Sequence, residues 1–78
     1  MLKDEKLKKK ISKKVGNAIK FYRTKLDISQ ETLAHNIGID RTYVTALEKG
    51  TKCASLYCLF LIAKELKISI KELVDINI

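Results

Sequence analysis

Arg41, Thr42, Tyr43 and Thr45 bring a guanidinium, two aliphatic hydroxyls and a phenol together on one short stretch. Groups of this kind on one stretch suit recognition of a partner by hydrogen bonds and charge. A guanidinium offers a planar fork of donors that grips any edge carrying two acceptors, or a phosphate. The hydroxyls donate or accept as the partner requires.

The remaining reactive side chains do not assemble a catalyst. There is no glycine-rich phosphate loop, no carboxylate pair suited to a cleft and no Cys/His dyad with an orienting third group. Cys53 and Cys58 with His35, the single histidine, fall short of a four-ligand zinc set. They read as free thiols and a solvated imidazole. No metal, cofactor or small-molecule ligand is expected, and no enzyme activity.

Charge is more informative. The 78-residue chain carries a formal +7, unevenly distributed. Residues 1–26 hold ten Lys or Arg against Asp4 and Glu5, whereas residues 27–78 hold six against seven acidic groups. Such an excess suits a polyanion, either nucleic acid or an anionic membrane surface, unless "LKKKISKK" is simply a solvated helix start. Leu2, Leu7 and Ile11 without an aromatic anchor would insert poorly, so no membrane partner is expected. "LYCLFLIA" is too short to span a bilayer and the N-terminus lacks a secretory pattern, which predicts a cytoplasmic protein.

The positioning elements follow from periodicity and punctuation. Ile11, Val15, Ala18, Ile19, Tyr22 and Leu26 make one apolar stripe, which predicts a helix over about 10–26, extensible toward Asp4. Ser29 caps a helix over 30–37 that Gly38 ends; Asp40 caps one over 41–49 that Gly50 ends. Ser55 caps a fourth through about Leu66, with Leu56, Leu59, Ile62, Ala63 and Leu66 inward, and Ser69 a short fifth through about Val74. The expectation is an all-α, compact five-helix bundle: a Lys-rich extension over 1–14, helical or frayed, and a single domain over 15–78. Helix 30–37, a three-residue turn containing Gly38, and helix 41–49 make a helix-turn-helix.

Val44 and Leu47 turn inward, so the second of these helices presents Arg41, Thr42, Tyr43, Thr45, Ala46 and Lys49 outward. An α-helix fits the major groove of B-DNA with its first residues nearest the base edges. Arg41 is suited to guanine O6 and N7, and Thr42 and Thr45 to a base edge, a thymine methyl or a phosphate.

"SQETLA", "GIDRTYVTALEKG" and "SLYCLFLIAKEL" together resemble the Cro/C1-type helix-turn-helix family, lambda-repressor-like DNA-binding domains, over about Val15 to Leu73. "RTY" at the head of the recognition helix, in so short a chain, is similar to the controller proteins of restriction-modification systems. The resemblance implies a homodimeric transcription regulator of double-stranded DNA, with RNA polymerase as a further partner. It puts Arg41, Thr42 and Thr45 on bases and Gln30, Tyr43, Lys49, Thr51 and Lys52 on the DNA backbone. It makes Arg23 and Glu48 a structural ion pair. Asp27 stands where the family usually has glycine, which leaves the geometry of the first turn open.

Helices four and five carry more apolar surface than one core needs. Phe60, Leu61, Ile68, Ile70, Leu73 and Val74 are the expected dimer interface. The alternatives from the same residues are a phage-type repressor or a protein-interaction module such as an antitoxin.

Overall fold

The computed structural model describes residues 4–77. They form five helices, α1 (Glu5–Lys25), α2 (Gln30–Ile37), α3 (Arg41–Lys49), α4 (Leu56–Glu65) and α5 (Ile70–Leu73), with no strand among them. The all-helical class read from the sequence is the one found.

Each start is fixed by a side-chain oxygen that accepts from an otherwise unpaired amide of the first turn. Asp4 serves Leu7, Ser29 serves Thr32, Asp40 serves Thr42 and Ser55 serves Cys58. At α5, Ser69 and Glu72 cap each other's backbone in a reciprocal box. α1 therefore begins at Glu5, earlier than its apolar stripe alone indicates. The lysine-rich turns before Ile11 are a continuous extension of a helix whose later turns are packed.

Gly38 ends α2 in the left-handed region at φ 79°, where its amide and that of Ile39 both bond to the Ala34 carbonyl. A side chain there would be strained, and the sharp reversal it allows sets α3 across α2. Asp27, the residue at the position where glycine was expected, takes the same left-handed step at φ 58°. Short acidic side chains tolerate that region better than most. Lys67, after α4, does likewise at φ 61°.

Ile19, Leu33, Val44, Leu47, Ile62, Leu66 and Leu73 are buried together, one or more from each helix. Two expectations about the last helices are corrected here. The sequence pattern puts Leu56 in the inward stripe, but it is 67% exposed, and Cys58 takes its place with Ile62 and Leu66 at i, i+4 and i+8. Leu73, expected on the dimer surface, is fully buried in the chain's own core. α5 has a single turn, and that residue is its anchor.

Gly16 was given no role by the sequence, yet it sets the α1–α3 distance. A Cβ on it would overlap the Leu47 carbonyl oxygen and lie 3.0 Å from that of Glu48. Alanine in a helix interior ordinarily gains about 1 kcal/mol over glycine. Gly16→Ala should reverse that sign, losing roughly 1–3 kcal/mol in urea denaturation because α1 must move off α3. A more stable variant would show that the two helices do not touch at this point.

Candidate nucleic-acid interface

α3 has one face in the core and one in solvent. With Asp40 bonded to the Thr42 amide, Val44 and Leu47 point inward and the opening turn stands clear. Arg41 and Thr42 are exposed, and Thr45 is half-buried. Among the described residues the Arg41 guanidinium has neither a hydrogen bond nor an ion pair. All five of its N–H donors are open to a ligand.

Arg23 and Glu48 come together as expected. Arg23 Nε donates to Glu48 Oε2 at 2.6 Å and Nη2 to Oε1 at 3.1 Å, with side-chain exposures of 10% and 3%. The fork is parallel and bidentate, the strong geometry for this pair. Arg23 Nη1 also donates to the Ile28 carbonyl at 2.7 Å. One guanidinium thus holds α1, the chain entering α2 and the far end of α3.

Gln30 extends this network in a way the sequence did not reveal. Its Nε2 donates to Glu48 Oε1 at 2.8 Å, and its Oε1 accepts from the Thr45 hydroxyl at 2.8 Å. The carboxylate can only accept, so the amide's polarity is dictated and its oxygen is left for Thr45. Thr45 Oγ1 is also within bonding distance of the Arg41 carbonyl. A continuous chain of bonds therefore runs from the buried ion pair to the outward face of α3. Gln30, expected against phosphate, has its side chain committed to this chain in the free protein.

Tyr43 is half-buried and packs against the core beside α4. Its phenol is pushed above its usual range by burial, with smaller contributions from Cys58 and Cys53. Burial likewise raises the Cys58 thiol, whereas Cys53 is exposed. Lys49, Thr51 and Lys52 are exposed at the other end of α3, where the Thr51 amide and hydroxyl both bond to the Ala46 carbonyl. His35 is exposed, and no cluster of metal-ligating side chains exists among the described residues.

The assembled face has an open arginine and threonine at its leading end and cations at its trailing end. It suits an anionic partner with a hydrogen-bonding edge.

The helix-turn-helix family pattern matches residues 19–73. The control protein C.MunI of a Mycoplasma species is 42% identical over 59 residues, 74% of this chain and 80% of that protein. The restriction-modification controller protein C.AhdI of Aeromonas hydrophila superposes with a TM-score of 0.77 at 39% identity, covering 80% of this chain and 94% of that one. The controller protein C.Esp1396I, solved as a tetramer in complex with its natural 35-base-pair operator, gives 0.70 at 32% identity, over 81% and 93%.

The ion pair yields a direct test of what orders this face. Glu48→Ala should cost roughly 3–5 kcal/mol in chemical denaturation, since it strands a buried guanidinium. Arg23→Met combined with Glu48→Leu should recover more than half of that loss. Equal losses in the single and double variants would mean the carboxylate matters for some reason other than pairing.

Proposed function

This chain belongs to the helix-turn-helix family, of the Cro/C1 type, and we propose that it is a homodimeric, sequence-specific regulator of transcription acting on double-stranded DNA. Within the family the reading is a restriction-modification controller protein, supported by the likeness to C.MunI and C.AhdI. The observation that carries it is the unpartnered Arg41 at the exposed head of α3, on a helix whose inner edge is tied down through Glu48.

Arg41, Thr42 and Thr45 read base edges in the major groove. Lys49, Thr51 and Lys52 lie on the sugar-phosphate backbone and set register. Gln30 and the outer edge of Tyr43 face the same strand, though both are held from within by protein contacts. Dimerisation uses the apolar residues that α4 and α5 leave uncovered: Phe60 and Val74 with the half-buried Leu61, Ile68 and Ile70. Leu56 and Tyr57, 67% and 74% exposed on the Phe60 face of α4, extend that surface. Two-fold pairing spaces the recognition helices by about one DNA turn, ~34 Å, so the operator is a near-palindrome. A regulator so bound near a promoter has RNA polymerase as its next partner. No helix among the described residues is long and apolar enough to cross a membrane.

Selection of bound duplexes from a random pool should yield one near-palindromic motif. Arg41→Ala should lose about 1–3 kcal/mol on that motif and relax preference at one base pair per half-site. Equal weakening on every sequence would reassign Arg41 to phosphate. Phe60→Glu should shift the sedimentation coefficient to that of a monomer and weaken operator binding; a dimer that survives the change rules out this face.

A further inference from the structure

The amino-terminal turns of α1 lie outside the family-matched span, and no role for them follows from it. They are not solvated at random. An open groove separates them from the end of α3 and the loop that follows. Lys8, Lys9 and Lys13 line one wall, and Lys49, Thr51 and Lys52 the other, with Glu5 the one carboxylate. The walls are held close: a Cβ on Gly50 would stand 2.7 Å from Lys13 Cα. Every lysine here is exposed. Five like charges gathered into one concavity repel one another, and a bound polyanion removes that cost.

We infer that α1 adds Lys8, Lys9 and Lys13 to the phosphate contact proposed for Lys49, Thr51 and Lys52, so that the groove clamps the DNA backbone flanking the base-reading helix. The inference rests on the DNA-binding reading above and adds a contact that the helix-turn-helix does not supply. The groove adjoins the trailing end of α3, the part of the proposed interface nearest the backbone. A lipid surface fits it less well. Ile11 turns into the cleft beside Gly16 and Ile19, which leaves Leu7 as the apolar residue of these turns able to insert.

The test compares full-length chain, K8Q/K9Q/K13Q and K8R/K9R/K13R on the selected duplex, on a random-sequence duplex of equal length, and on phosphatidylserine vesicles. Circular dichroism melts check that each variant is folded. The glutamine variant should bind both duplexes at least about tenfold more weakly near 0.1 M salt, with a salt slope shallower by about 2–3 per protomer. Discrimination between the duplexes should be unchanged, and the arginine variant should match the parent. Unaltered affinity and slope would overturn the inference, as would a loss confined to the selected duplex or to vesicles. If the parent chain selects no motif at all, it is the regulatory reading that fails; the groove is still judged on the random duplex.

Discussion

The bidentate contact between Arg23 and Glu48 is the constraint on which the setting of α3 and its outward face depends. A buried ion pair adds little net stability over a well-packed apolar pair, because desolvation offsets most of the attraction. Its value here is geometric. The guanidinium fork admits one orientation, and its third bond, to the Ile28 carbonyl, ties the start of α2 to the same point. α3 cannot rotate about its axis without breaking both oxygens of Glu48 away from Arg23.

What the pair fixes, Gln30 transmits. The amide spans Glu48 and Thr45, so α2 and α3 share a polar seam as well as the apolar contact around Leu33 and Val44. Gly16 permits this arrangement from the other side, since without a Cβ the α1 backbone comes against the last carbonyls of α3. The result is a short helix rigid along its inner edge and free at its head. Side-chain ordering is costly on binding, so a surface preset by the fold retains more of its contact energy.

Much of this was legible in the sequence because the punctuation is local. Ser29, Asp40, Ser55 and Ser69 mark helix starts by hydrogen bonds that reach only two or three residues, and Gly38 and Gly50 mark ends by backbone conformation. α4 is legible only in part, for the opposite reason. It is apolar nearly all round, so its own pattern does not select a buried face; packing against α2 and α5 does. That choice put Leu56 in solvent and Cys58 inside. The close approach at Gly16 and both side-chain bonds of Gln30 are invisible in the sequence because each depends on a residue far along the chain. Asp27 takes a left-handed step of the kind glycine makes most readily, so a residue that departs from the family's letter still closes the first turn.

Arg23 and Arg41 are the chain's two arginines, one locked and one open, which makes the central claim directly observable. In a nitrogen-15 spectrum of arginine side chains, titrated with the selected duplex, the Arg23 Nε–H should be sharp throughout and barely move. Arg41 should pass from rapid exchange to a protected, shifted resonance, and only with the selected sequence. An Arg41 signal that ignores DNA, or that responds alike to any duplex, would contradict the account.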